Sequence, residues 1–460
     1  MFKDNPEDTI SAISTAQGEG GIGIVRISGR RALAIANKIF VPIGKKEAVD
    51  FKSYTMHYGK ICEGAKIIDE VILTVMRKPK SYTREDVVEI NCHGSIVALR
   101  KVLDLTLNNG ARLASPGEFT KRAFLNGRID LAQAEAVIDI IRAKTDSALK
   151  VSLGQLSGGL SREINKIRGK LLDILVSLEA NIDFPEEDIQ EQGTAEVFQG
   201  LIAIEIQLNK LLDGASCGRI LREGIHVVIC GKPNVGKSSL LNALLKKERS
   251  IVTPIAGTTR DTIEEMLDIK GIPLKIVDTA GILKPRGLIE KKAIKRSREH
   301  IKLADMVIIM FDASRMLDEQ DRKLIKDVRN KNVIAVINKI DLKARINKDE
   351  IAKVFDKVVQ LCAKSAKNIN LLEDALCAFV YKGKLQAPEF ALVSNLRHIH
   401  ALKDARKLIE QAKAALTDKL PLEFIAQNIK DACVYLDKIL GRSFPEDLLE
   451  RIFADFCIGK

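Results

Sequence analysis

The chain has 460 residues, 46% of them apolar, with few aromatics and no tryptophan, which is enough for two to four domains with aliphatic cores. Its formal charge of +12 and pI near 9.1 suit contact with RNA, DNA or phosphates, and equally suit a Lys-rich protein with solvated helix faces. Eight cysteines without C-x-x-C spacing argue against a zinc ribbon or a disulfide framework, and neither a membrane-length apolar run nor a secretory h-region after MFKDNPEDTI is present, so the chain reads as cytoplasmic with no membrane partner.

From about residue 8 to 120, short β-rich runs (GIGIVRIS, KIIDEVILTVM, DVVEINC) alternate with Gly-containing turns and helical patches, an α+β pattern. From about 123 to 218 helical periodicity takes over. Ile164, Ile167, Leu171, Ile174 and Leu178 step by three and four as one apolar seam, which stops at NIDFPEED, where Pro185 offers no amide. From about 219, HVVIC, LKIVDT, MVIIMFD and VIAVIN read as buried parallel strands with helices between them, the alternation of a doubly wound α/β sheet. After about 382 the chain is helical again. The expected division is 1–121, 122–218, 219–381 and 382–460, with the doubly wound domain inserted into a helical one.

GKPNVGKSS fits G-x-x-x-x-G-K-[ST] and follows a strand pattern. Gly231 and Gly236 allow the backbone to wrap a phosphate, and Asn234, Val235, Gly236, Lys237, Ser238 and Ser239 are the expected lining. Lys237 can reach the β- and γ-phosphates of GTP, and Ser238 can ligate Mg2+. NKID closes the VIAVIN strand: Asp341 can accept from guanine N1 and N2 hydrogens, Asn338 can bond the far edge, and Lys339 can pack along the ring. SAK at 365–367 is expected to close over the base, although alone it is also a plain helix cap. Thr253, Pro254, Ile255, Ala256, Gly257, Thr258 and Thr259 form the expected switch, with Thr259 as second Mg2+ ligand. Asp278, Thr279, Ala280 and Gly281 form the DTAG that belongs beside the γ-phosphate.

Ile282 stands where Ras-type enzymes carry the water-orienting Gln, and it can neither donate nor accept a hydrogen bond. Two features can replace that function. Asn234 with oxygens from Thr253, Ile255 and Thr258 can hold K+, which would neutralise charge between the β- and γ-phosphates. Glu290, twelve residues beyond Asp278, can hold the attacking water through a second water; on chemistry alone it is also a solvated helix acid.

DTISAISTAQGEGGIGIVRISG, SYTREDVVEINCHG, SPGEFTKRAFLNGRIDLAQAEAVIDII, the nucleotide motifs and the terminal FCIGK resemble, in order and from end to end, the MnmE (TrmE) family of tRNA modification GTPases. The resemblance implies a folate-binding, dimerising α+β amino-terminal domain, a helical domain and an inserted Ras-like G domain. It implies a homodimer whose G domains meet in the presence of K+ and GTP, so that Asn234 and Glu290 complete the hydrolytic site. It also implies an FAD-containing partner, MnmG (GidA), in a heterotetramer-type complex that adds an aminomethyl or carboxymethylaminomethyl group at C5 of uridine 34 in certain tRNAs. On the same resemblance a 5-formyl- or methylene-tetrahydrofolate is the expected one-carbon source, with contacts that fall by motif on Arg26, Glu89, Arg128 and Lys460; on residue chemistry alone Arg26 and Arg128 are equally surface ion pairs.

Cys457 in FCIGK is either a nucleophile near the one-carbon donor or a small apolar anchor for the tail, and both readings stand. His93 reads as a satisfied structural donor, and Ala16 and Gln17 depart from the family pattern in the first glycine loop. A competing function is an Era-like ribosome-assembly switch, which would carry a KH-type domain with a G-x-x-G loop; no such loop appears after 382. An ion-sensing switch rests on Asn234 alone.

Overall fold

In the computed structural model, which describes residues 8–16, 18–183, 190–247, 264–278, 300–381, 393–443 and 446–460, two units form. The first comprises the chain up to Ile138 with Leu156–Ser161 and Leu436–Lys460. Its strands are β1 (Ile10–Ile13), β2 (Gly20–Ser28), β3 (Phe40–Pro42), β4 (Thr55–Glu63), β5 (Lys66–Met76), β6 (Val87–Gly94) and β7 (Arg112–Leu113), in the order β3-β4-β5-β6-β2-β1-β7. All pairs are antiparallel except β1 with β7. Successive strand residues face opposite sides. Val25 and Ile27 of β2 and Val88 and Ile90 of β6 are therefore buried in one core with α1 (Ala32–Ile39) and α2 (Ile96–Asn108). Arg26 and Glu89 sit opposite one another in the ladder, each between two core-facing residues. A third helix, α3 (Glu118–Leu125), follows Gly117, whose φ of 67° is left-handed.

The helices α4 (Leu131–Arg142), α5 (Asp146–Leu156), α6 (Gly159–Asp183) and α7 (Gln190–Glu223) come next. The apolar seam on α6 is present: Ile164, Ile167, Leu171 and Leu178 are buried, and Ile174 is half-buried. Each fully buried Ile or Leu contributes about 1.5–3 kcal/mol relative to exposure. Pro185 lies outside the described residues, two positions beyond the last helical one.

The second unit, Asp139–Gln155 with Arg162–Tyr435, contains the doubly wound sheet. Its strands are β8 (Ile225–Gly231), β9 (Glu264–Ile269), β10 (Ile272–Asp278), β11 (Met306–Asp312), β12 (Val333–Asn338) and β13 (Val358–Gln360). The order is β13-β12-β11-β8-β10-β9, and every pair is parallel except the β9–β10 hairpin. Every residue of β11 is buried, as a central parallel strand covered on both faces requires. The chain leaves β8 toward one edge and returns at β11 toward the other, so the carboxy ends of β8, β11 and β12 open on a topological switch point, where ligand loops belong. In the same unit α7 packs along a helix at Leu396–Thr417, with Leu201, Ile204 and Leu208 buried on one and Leu402, Ala405 and Ile409 on the other. Among the described residues no helix is long and apolar enough to cross a membrane.

Candidate functional site

β8 ends at Gly231 and α8 (Lys237–Lys247) begins six residues later, so the loop between them is the G-x-x-x-x-G-K turn. Two backbone positions in it admit only glycine. At Gly231 (φ 150°) a Cβ would lie 2.6 Å from the Met310 carbonyl oxygen; at Gly236 (φ 103°) it would lie 2.2 Å from Asn338 Nδ2. Asn234 adopts φ 65°, a conformation asparagine tolerates better than most residues. Val235 is buried and anchors the loop in the sheet's core. Lys237 is buried too, its Nζ donating to the carbonyls of Gly231 (2.9 Å) and Lys232 (2.8 Å). Ser238 and Ser239 are exposed on the first turn of α8. A cradle that a Cβ would fill, with a lysine folded over its rim at a helix N-terminus, fits a bound polyphosphate. The neighbouring Lys232 is clamped by Asp318 (2.7 Å) and Asp321 (2.6 Å). Burial works against its charge, but the two carboxylates outweigh it and raise its pKa.

On the other side, Asn338 closes β12 and is 2% exposed. Its Nδ2 donates to the Val235 carbonyl (2.8 Å) and its Oδ1 accepts from the Ala363 amide (2.9 Å). One side chain thus ties the phosphate loop to the segment after β13. Lys339 (φ 64°) donates to Asp312 at the end of β11 (2.6 Å). Burial pushes the Asp312 carboxyl up, but hydrogen bonds from Lys339 and Ser314 prevail and hold it below its ordinary value. Asp341 is exposed, and its Oδ1 accepts from the Cys362 thiol at 3.0 Å. That bond, first among several, lowers the Asp341 pKa.

The expected base-closing SAK is corrected here. Ser365, Ala366 and Lys367 lie in an exposed turn, with Ala366 at φ 55°. The contacts to Asn338 and Asp341 come from Ala363 and Cys362 instead. The reason is register: β13 pairs with β12 and ends at Gln360, so its carboxy end delivers residues 361–364 to the pocket, and the Cys362–Lys367 bridge turns the next residues away. Cys362, Ala363 and Asp312 were absent from the expected site; the signal for the first two was a CAK triplet directly after the apolar VVQL. Asp278 ends β10. Thr253, Pro254, Ile255, Ala256, Gly257, Thr258, Thr259, Thr279, Ala280, Gly281, Ile282 and Glu290 lie outside the described residues, as does Gln17.

In the first unit, the carboxy-terminal segment docks beside β1, β2 and α3. Arg26 Nε donates to Glu89 Oε1 (2.8 Å), and Arg26 Nη1 donates to the Gly459 carbonyl (3.2 Å). Its guanidinium also lies over the Tyr82 and Phe119 rings, 5.7 and 5.6 Å from their centroids, and the Arg128 guanidinium lies over the Tyr82 ring too, 4.6 Å from its centroid. The amides of Gly117 and Phe119 donate to the carbonyls of Cys457 (3.4 Å) and Lys460 (3.2 Å). Gly459 has φ 93°, and a Cβ there would meet the Ile13 carbonyl oxygen at 2.3 Å. Sequence reasoning missed Tyr82, Phe119 and Gly459. It is Phe456 that anchors the tail, buried against Phe453 at 5.3 Å; Cys457 is exposed. The structure therefore brings Arg26, Glu89, Arg128 and the tail into one neighbourhood. His93 is exposed and its Nδ1 pairs with Asp69 Oδ1 at 2.6 Å, so its partner is a carboxylate, which raises its pKa by hydrogen bond and charge.

A sheet of this strand order, with a P-loop after its central strand and an NKID loop after β12, defines a P-loop protein of the G-domain class. Residues 9–128 match the family model of the GTP-binding protein TrmE N-terminus, and residues 131–457 match the MnmE helical domain. The chain is 47% identical over 458 residues to the tRNA modification GTPase MnmE of Alkaliphilus oremlandii, covering 99% of each chain. It is 48% identical to that of Carboxydothermus hydrogenoformans (99% and 100% covered) and 47% identical to that of Clostridioides difficile (100% of each). The chain belongs to the tRNA modification GTPase MnmE family. Among solved structures, Aquifex aeolicus Era bound to GDP.AlF4- is 31% identical over 40% of this chain and 66% of its own, with a TM-score of 0.29.

Proposed function

We propose that this protein hydrolyses GTP and couples the hydrolytic cycle to covalent modification of tRNA. The observation that carries this reading is the joining, in one chain, of a guanine-type pocket tied by Asn338 and a docked FCIGK tail, along a likeness to tRNA modification GTPases that runs the full length. In the finer form, the product carries an aminomethyl or carboxymethylaminomethyl group at C5 of the wobble uridine, made with an FAD-containing MnmG-type partner by a cytoplasmic homodimer. The segments 1–121, 122–218, 219–381 and 382–460 act as folate-binding, helical, GTPase and helical parts. The absence of any strand among the described residues after Val393 favours this enzyme over a KH-bearing assembly switch.

In the pocket, the Gly231–Gly236 loop binds the phosphates through its amides, and Lys237 turns from its two loop carbonyls to the β- and γ-oxygens. Asp341 reads the guanine edge, Asn338 keeps the phosphate and base sides in register, and Asp278 opens the γ-phosphate side. Ser238 and Thr259 would hold Mg2+, and Asn234 with Thr253, Ile255 and Thr258 would hold K+; bound there, the cations neutralise phosphate charge. Glu290 orients the attacking water in place of the glutamine that Ile282 displaces. In the first unit Glu89 accepts from the pterin of a tetrahydrofolate, with Arg26, Arg128 and Lys460 around it, and Cys457 is the nucleophile candidate. Three measurements test the reading. Turnover should be much faster in K+ than in Na+ buffer, and equal rates would remove the cation from the mechanism. Glu290→Ala should bind GTP yet scarcely hydrolyse it. Mass analysis of wobble uridine in cells lacking the protein should show loss of the modified base, and its persistence would end the tRNA assignment.

A further inference from the structure

The phosphate loop begins at Lys232, directly after Gly231, and the ammonium of this lysine is already engaged. Its Nζ donates to Asp318 Oδ2 (2.7 Å) and lies 2.6 Å from Asp321 Oδ2, both at the start of the helix Glu319–Val328. The Lys232 side chain is 14% exposed and that of Asp321 5%, so the pair is poorly screened by water and salt. The carboxylates are held by backbone independently of the lysine. Asp318 Oδ1 caps the helix, accepting from the amides of Gln320 (3.0 Å) and Asp321 (3.1 Å), and Asp321 accepts from the Asp318 amide in return (3.2 Å). The segment that carries them is fixed at its other end too, where Asp312 closes β11 and accepts from Lys339 of the base loop at 2.6 Å. Residues 312–321 therefore bridge the phosphate loop and the base loop. On the loop itself, the Lys232 carbonyl accepts from Lys237 Nζ (2.8 Å) and Asn234 has φ 65°. A loop with glycine at both ends and a left-handed residue between them has many competing backbone shapes, and anchoring its first side chain narrows them.

We propose that Lys232 is a positioning residue for phosphate binding: clamped by Asp318 and Asp321, it holds the Gly231–Gly236 loop in the shape that receives the β-phosphate, and it does not itself contact the nucleotide. This deepens, and rests on, the guanine-nucleotide reading above, and the two can fail separately. Affinities of GDP, GMP (which lacks the β-phosphate) and ADP are measured by fluorescence competition on the full chain, with a denaturant melt of each variant. Wild type should bind GDP more tightly than either of the others. Lys232→Met should weaken GDP about tenfold, because a loop competent a tenth of the time raises the apparent Kd by that factor. GMP should weaken by less, so that the ratio between them falls. Lys232→Arg, which keeps a cation with several donors, should retain the wild-type ratio. Asp318→Asn combined with Asp321→Asn frees the ammonium, while asparagine still caps the helix; it should lower the ratio as well. A lysine that bound phosphate directly would instead tighten GDP once freed, and that result overturns the proposal. An unchanged GDP-to-GMP ratio in folded Lys232→Met, as a merely structural ion pair would give, overturns it too. If Lys232→Met does not fold, the asparagine pair decides by the same ratio. Wild type binding ADP as tightly as GDP would overturn the guanine reading itself.

Discussion

Replacing Gly236 with alanine tests whether the phosphate loop and the base loop are one built unit. The added Cβ would sit 2.2 Å from Asn338 Nδ2, at a residue whose φ is 103°. The amide it meets has no room to swing, because Nδ2 is bound to the Val235 carbonyl and Oδ1 to the Ala363 amide, and Asn338 is 2% exposed. Moving it therefore breaks two buried hydrogen bonds, which costs about 1–3 kcal/mol for each group left unpaired. The left-handed backbone adds about 1–2 kcal/mol for a residue with a Cβ. With one group left unpaired per bond the sum, about 3–8 kcal/mol, is comparable to the roughly 5–15 kcal/mol stability of a whole domain. The loop should rearrange before the domain unfolds, and at about 1.4 kcal/mol per decade the nucleotide affinity should fall at least a hundredfold. Equilibrium titration with a fluorescent GDP reads the loss, and a denaturant melt reports whether the fold persists. Wild-type affinity in a folded Gly236→Ala protein would refute the link between the two loops.

Arg26→Ala should release the tail, because Arg26 bonds both Glu89 and the Gly459 carbonyl, and Arg26→Lys should not restore it, since an ammonium lacks the two-sided reach of a guanidinium. Faster carboxypeptidase removal of Lys460 in both variants is the expected result, and wild-type resistance in Arg26→Ala would count against the link. Deleting residues 457–460 should leave GTP turnover intact and abolish tRNA modification, read by nucleoside mass analysis; modified uridine persisting would withdraw Cys457 and Lys460 from the chemistry. His93 should titrate above 6.5, and Asp69→Asn should bring its NMR midpoint back toward 6.5. Because the folded pKa is raised, the pair's contribution to stability is fully present below pH 6.5 and fades as pH rises through the folded value, so Asp69→Asn should destabilise at pH 6 more than at pH 9. An equal effect at both would refute the pairing.

The central parallel strands were legible because each is a short apolar run whose composition states its burial: MVIIMFD and VIAVIN became β11 and β12 with the expected ends. β4 was not, since TMHYGKICE buries only two of its nine residues and leaves Met56 and Tyr58 exposed, so its alternation is hidden among polar and aromatic side chains. β13 is three residues long and has no periodicity to read. The P-loop and NKID were legible as local strings because their chemistry is local: a glycine turn, then a carboxylate after a strand. The ties between them were not. Asn338 meets Val235 across 103 positions, and Arg26 meets Gly459 across 433, distances at which no spacing rule operates.

The misplaced SAK shows what decides between two similar strings. CAK and SAK stand side by side at 362–367, and on residue type alone the second is the better match, because serine is the stronger donor. Strand register overrides that preference. Once Ala335, Val336 and Ile337 pair with Val358, Val359 and Gln360, the next residues reach the pocket whatever their side chains, and the following turn must point away. A cysteine then occupies the donor position by geometry, and the pocket must work with a thiol. Cys362→Ser should therefore bind GDP about as tightly as wild type in a fluorescence competition titration, because any donor delivered by that register suffices, and a loss of about tenfold or more would show that residue identity rather than topology selected the contact.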